Sequence, residues 1–185
     1  MGKDRVVVGI TGGSGSILAV RLLENLTGVE KHLVMSENAK TVLGVEVGKT
    51  PEELRSHADF TYQDSDLTAP VSSGSFIFSS MVIIPCYMST LAKISSGIAD
   101  TLITRCASVA LKERRKLILV PREMPLSTIA LENMHRLSLS GAIIAPAMPG
   151  YYTNPRTADD MINFVVSRIM DLMGVENNLI KRWKQ

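Results

Sequence analysis

The sequence predicts an α/β fold, an open parallel sheet with helices on both faces. Two observations predict it. Short β-branched runs alternate with amphipathic helical stretches along the chain, and parallel strands need crossover connections of that kind. The clusters of small polar and charged residues follow directly after the strand-like runs, which is where open parallel sheets bind ligands.

In chain order, residues 5–10 (RVVVGI) read as a strand buried on both faces, because the apolar run is continuous and does not alternate. Residues 16–26 form a helix with Leu18, Leu22, Leu23 and Leu26 on one face. Residues 32–36 are a second strand, and a helix begins at Glu37 with Ser36 as its N-cap. Residues 70–80 (PVSSGSFIFSS) are the loosest segment, a loop suited to function and too short to divide domains. Strand 81–85 leads to amphipathic helices over 90–98 and 103–114; strands 116–121 and 142–145 and a helix over 159–173 complete the pattern. With neither an internal repeat nor a linker, the expectation is one domain spanning residues 1–185.

Composition narrows the function. The chain has 185 residues, 45% hydrophobic and 21% charged, enough for one sizeable core. A net charge of +2 argues against a nucleic-acid surface. No apolar stretch is long enough to span a membrane, and the apolar run near the start is too short for a signal peptide. Two cysteines, Cys86 and Cys106, make neither a disulfide framework nor a zinc site. A cytoplasmic protein without structural metal is expected.

Five segments carry candidate chemistry. Thr11-Gly12-Gly13-Ser14-Gly15-Ser16 lies between a strand and a helix, so its glycines let backbone approach a ligand and the helix N-terminus offers N–H groups to a phosphate; it reads equally as a tight turn. Ser36 and Ser72-Ser73-Gly74-Ser75 add hydroxyls at other loops. Pro85 to Thr90 (PCYMST) follows the strand over 81–85 and opens a helix whose N–H donors could face a ligand, or is a simple capped helix. Lys112-Glu113-Arg114-Arg115-Lys116 precedes a strand that ends in Arg122-Glu123; Arg122 suits bidentate phosphate recognition, and Glu123 can move protons. Tyr151 and Tyr152 follow the last strand, and Arg168 lies on the helix after it.

Taken in order, these blocks resemble the UbiX/Pad family of flavin prenyltransferases. The most specific stretch is ADTLITRCASVALKERRKLILVPREMPLSTIALENM, followed by PAMPGYY and PRTADDMINFVVSRIMDLMG. The resemblance implies a flavodoxin-like or Rossmann-like flavoprotein domain with residues 174–185 as a C-terminal tail, assembled as a homododecamer with active sites between subunits. It implies that Gly12, Gly13, Ser14, Ser36, Ser73, the segment Tyr87, Met88, Ser89, Thr90, and Arg105 and Arg122 contact FMN. Lys112, Arg122, Tyr152 and Arg168 would hold the phosphate of dimethylallyl monophosphate. Ser14, Glu46, Lys112 and Glu123 would be catalytic, and Trp183 would close the site. The implied activity is metal-independent transfer of a dimethylallyl group to reduced FMN, supplying prenylated FMN to a UbiD-type decarboxylase. Three positions depart from the pattern: Tyr87 replaces a Ser, Ser89 a frequent Lys, and Ala130 a His. Two other readings share the fold, an FMN-dependent cysteine decarboxylase and a non-catalytic flavin carrier or decarboxylase subunit.

Overall fold

The computed structural model describes residues 3–182. Its elements are β1 (Asp4–Ile10), α1 (Ser16–Asn25), β2 (Val29–Met35), α2 (Glu37–Val47), α3 (Pro51–Arg55), β3 (Phe60–Gln63), β4 (Ser80–Cys86), α4 (Met88–Ser95), α5 (Leu102–Lys112), β5 (Lys116–Pro121), α6 (Thr128–Leu139), β6 (Ile143–Ile144) and α7 (Ala158–Met173). The strands form one six-stranded sheet in the order β3-β2-β1-β4-β5-β6. Every pairing is parallel. This is the doubly wound strand order of dinucleotide-binding sheets, so the Rossmann-like member of the expected pair describes the topology.

Alternate residues of the central strands serve opposite layers. Val6, Val8 and Ile10 of β1, Val82 and Ile84 of β4, and Ile118 and Val120 of β5 pack beneath α1, α2, α3 and α7. Val7 of β1, Met81 and Ile83 of β4, and Leu117 and Leu119 of β5 pack beneath α4, α5 and α6. A fully buried Leu, Ile or Val contributes about 1.5–3 kcal/mol. The continuous apolar runs are therefore explained: both pleat faces are covered.

Three elements lie outside the sequence pattern. β3 is an edge strand whose FTYQ residues stay mostly exposed, so it has no apolar run. α3 is five residues long and rests on the Thr50 capping box and one buried residue, Leu54. α6 buries Ala130, Met134 and Leu137 but exposes Ile129, Leu131 and Leu139, so its apolar residues mark no single face.

The strand order places the site. β1 and β4 are neighbours, yet α1 leaves β1 for one layer and α4 leaves β4 for the other. Their diverging loops open a crevice at the carboxyl edge of the sheet.

Candidate active site

The loop after β1 is tied to the loop after β4 by one buried hydroxyl. Thr11 Oγ1 donates to the Pro85 carbonyl at 2.8 Å and accepts the Tyr87 N–H at 2.7 Å. Gly12 is fixed by space, since a Cβ there would stand 2.6 Å from the Asn38 Cβ. Gly15 holds a left-handed φ of 113° and starts α1 without a side-chain cap.

The cap comes from α2. Glu46 Oε2 accepts the N–H groups of Gly15 and Ser16, each at 2.9 Å. Burial alone would raise the Glu46 pKa, but hydrogen bonds from the Ser14 hydroxyl and these backbone groups outweigh it and hold the carboxyl below its ordinary range. The N-terminal amides that the Gly-rich loop was expected to offer to a phosphate are thus taken by a carboxylate of the same chain. Arg122, directly after β5, donates from Nε to the Ser14 carbonyl at 3.3 Å. Ser14, Glu46 and Arg122, far apart in sequence, meet at one point.

Beside this point lies a cavity of about 130 Å³. Thr11 and Gly12 line it, together with the first residues of three helices: Ser36 and Asn38 of α2, Tyr87, Ser89 and Thr90 of α4, and Thr101, Ile103 and Thr104 of α5. Ser36 caps α2 by accepting the Ala39 N–H at 3.2 Å. Asp64, after β3, binds the start of α5 through its carboxylate to the Ile103 N–H (2.9 Å) and its carbonyl to the Leu102 N–H (2.7 Å). Burial lifts the Asp64 pKa above the usual value. Lys93 of α4 is also on the wall, with Nζ 2.7 Å from Asp100 Oδ2.

Glu123 separates two further clefts. One, of about 310 Å³, lies between the ends of β5 and β6 and is lined by Pro121, Arg122, Met124, Leu126 and Met148. The other, of about 300 Å³, is lined by Met88, Ala92, Pro125, Ile129 and Ala130. Both walls are chiefly apolar, and Glu123 is the acidic group they share.

Apart from Gly13, the remaining expected residues do not join this site within one chain. Gly13 abuts Pro85 and Tyr87, so it backs the crevice. Ser73 bonds Ser75 (2.8 Å), and Arg105 donates to the Ser72 carbonyl (3.1 Å), so both belong to a patch on α5. Lys112 pairs with Glu113 at 2.7 Å at the far end of α5, just before β5 begins. Arg168 pairs with Asp171 at 2.8 Å on α7, in the opposite helix layer. Tyr152 packs edge-on to Phe164, ring centroids 5.6 Å apart. Trp183 lies outside the described residues.

Asn38, Asp64, Lys93, Thr101 and Thr104 are cavity residues that the sequence reading did not single out. The Thr101 capping box just before an apolar helical run was the signal that could have drawn attention to Thr101 and Thr104. Among the described residues there is no group of His, Cys, Asp and Glu that could hold a metal ion, and no helix is long and apolar enough to cross a membrane.

Comparison with known proteins gives three findings. A family profile described as Flavoprotein matches residues 1–170. The flavin prenyltransferase UbiX of Thermoplasma acidophilum is 61% identical over 179 residues, covering 97% of this chain and 99% of that protein. Two crystal structures superpose along their length: AnUbiX in complex with FMN and dimethylallyl pyrophosphate (TM-score 0.97, 42% identity, covering 100% of this chain and 99% of that one), and a dodecameric FMN-dependent UbiX-like decarboxylase from Escherichia coli O157:H7 (TM-score 0.95, 47% identity, covering 98% and 100%).

Proposed function

This chain belongs to the flavoprotein family, among its UbiX-like flavin prenyltransferases, and on that premise we propose that it transfers a dimethylallyl group from dimethylallyl monophosphate to reduced FMN. The observation that carries the reading is the meeting of Ser14, Glu46 and Arg122 beside a cavity rimmed by three helix N-termini. The residues present suit FMN: hydroxyls and N–H groups surround the cavity as a phosphate and polyol chain require, and the neighbouring clefts offer apolar walls to a ring and a prenyl group. Gly12, Gly13, Ser14, Ser36 and the Tyr87 to Thr90 segment are the residues assigned to hold it. Reduced FMN supplies the electron-rich ring that takes up the prenyl group.

The side chains serve the departure of the phosphate. Cleavage of the carbon–oxygen bond builds negative charge on the leaving group, and preorganised cations stabilise such charge most effectively where water is excluded. Arg122, directly after β5, is a cation placed to do so. Glu46, ionised and bound to the Gly15 and Ser16 N–H groups, fixes the β1–α1 loop beside Ser14. Glu123, between the two clefts, is assigned to proton movement.

Lys112 and Arg168 occupy opposite helix layers, so one phosphate cannot touch both within a chain. Their assigned role, with that of Tyr152, Ser73, Arg105 and Trp183, therefore requires sites shared between copies, and a dodecamer is the assembly proposed. Exposed Met124, Ile129, Met148 and Tyr151 near the site edge are apolar surface that such assembly would cover. The buried free thiols of Cys86 and Cys106 support a cytoplasmic setting. The product would serve a UbiD-type decarboxylase.

The test is anaerobic incubation of the protein with reduced FMN and dimethylallyl monophosphate, followed by mass analysis of the flavin. A mass gain of one prenyl group supports the proposal. Unchanged flavin, or carbon dioxide released from an aromatic acid or a cysteinyl substrate without any prenyl donor, overturns it.

A further inference from the structure

Building on the flavin-site reading, we propose that Lys93 is the cation that binds the phosphate of FMN, and that Asp100 competes with that phosphate for the ammonium group.

Charge and space select this position. The approximately 130 Å³ cavity is well below the ~300 Å³ of pockets that enclose a whole small molecule, so it suits the phosphate end of the ligand and not its ring. The starts of α2, α4 and α5 line it; α2 and α4 bring unpaired N–H groups and positive dipole ends, while the first N–H groups of α5 are taken by Asp64 and Thr101. The glycine-flanked terminus of α1 is closed to a phosphate because Glu46 already sits on Gly15 N and Ser16 N, and a second anion there would meet like charge.

Lys93 is the one cationic residue on the described cavity wall. It stands one helical turn after Ser89, on the same face of α4, so its flexible stem carries the ammonium toward the hydroxyls of the α4 and α5 termini. The ammonium is bound by Asp100, 2.7 Å away, with side chains 40% and 50% exposed. A pair that exposed adds little to stability, so a purely structural reason for it is weak. Asp64, the acid among the described wall residues, is committed to the start of α5.

Equilibrium binding of oxidised FMN and of riboflavin, which lacks the phosphate, tests the proposal without any turnover. Lys93→Met is expected to weaken FMN binding about tenfold, ~1.4 kcal/mol, and to leave riboflavin affinity unchanged; Lys93→Arg keeps most of the FMN affinity. Added salt narrows the gap between wild type and Lys93→Met. Asp100→Asn is expected to leave FMN affinity equal to or above wild type, because the competitor is gone. A structural ion pair predicts otherwise: both variants weaken together, and riboflavin suffers with FMN. That outcome, or FMN affinity unaltered in Lys93→Met, overturns the assignment. Wild-type protein that binds neither flavin overturns the flavin-site reading itself.

Discussion

Replacing Thr11 by Val tests whether one hydroxyl holds the crevice in shape. The side chain is 3% exposed, and its oxygen makes two bonds, giving a proton to the Pro85 carbonyl and taking one from the Tyr87 N–H. Valine keeps the volume and removes both. The Pro85 carbonyl retains the longer bond from the Thr11 N–H at 3.3 Å, so the chief loss falls on Tyr87, whose part-buried N–H is left without its acceptor. An unsatisfied buried donor costs about 1–3 kcal/mol. Near the middle of that range, a chain of this size melts roughly 4–8 °C lower. Thr11→Ser keeps the hydroxyl and loses one methyl, about 0.8 kcal/mol, so it should fall between the two. Melting must be compared at one protomer concentration, because assembly raises the apparent stability. Since Tyr87 is the N-cap of α4, FMN affinity should fall in the same order. Thr11→Val and Thr11→Ser melting together, with equal flavin affinity, would refute the claim that this hydroxyl joins the two loops.

Other expectations follow from the same geometry. Arg122→Ala should lower prenyl transfer about 10²–10³-fold through loss of leaving-group stabilisation, with Arg122→Lys recovering part; near-normal steady-state rates in the Ala variant would remove the role assigned to Arg122. Glu46 has a depressed carboxyl in the folded chain, so the unfolded chain binds its proton first as pH falls, and the stability Glu46 contributes is present above its ordinary value of 4.5 and lost on acidification below it. Glu46→Gln should therefore flatten the acid limb of a stability–pH curve, and an unchanged limb would contradict the capping role. Burial pushes the thiols of Cys86 and Cys106 up to about 12, so neither should react with a thiol reagent at mildly alkaline pH until the protein is denatured. Modification of the native protein at either position would show that these sites open.

Much of the fold was legible because burial on both faces writes itself into the chain. The runs at 5–10, 81–85 and 116–121 lie within β1, β4 and β5, with edges shifted by a residue at most. β2 begins at Val29, earlier than the apolar pattern suggests, since its first residues are only partly buried. β3 and α6 escaped because an exposed edge strand and a helix with apolar residues on more than one side carry no clean period. In the site, Ser36 behaves as its sequence position implies, an N-cap on α2. Lys93 and Asp64 left no such trace: a lysine within an amphipathic helix and an aspartate in a loop look ordinary until α4, α5 and the end of β3 are brought side by side.

What the sequence determined alone was everything local: where apolar periodicity makes a strand or a helix, and which small or charged residues follow each strand. Only the tertiary structure decided which of them meet. Strand order is not encoded in the spacing of residues along the chain, and it is the placing of β1 between β2 and β4 that carries Thr11 to Tyr87 and Ser36 to the cavity wall. Glu46 reaches the start of α1 and Arg122 reaches Ser14 for the same reason. The sheet also sets Lys112 and Arg168 in opposite layers, so the phosphate site proposed here needs a second copy of the chain.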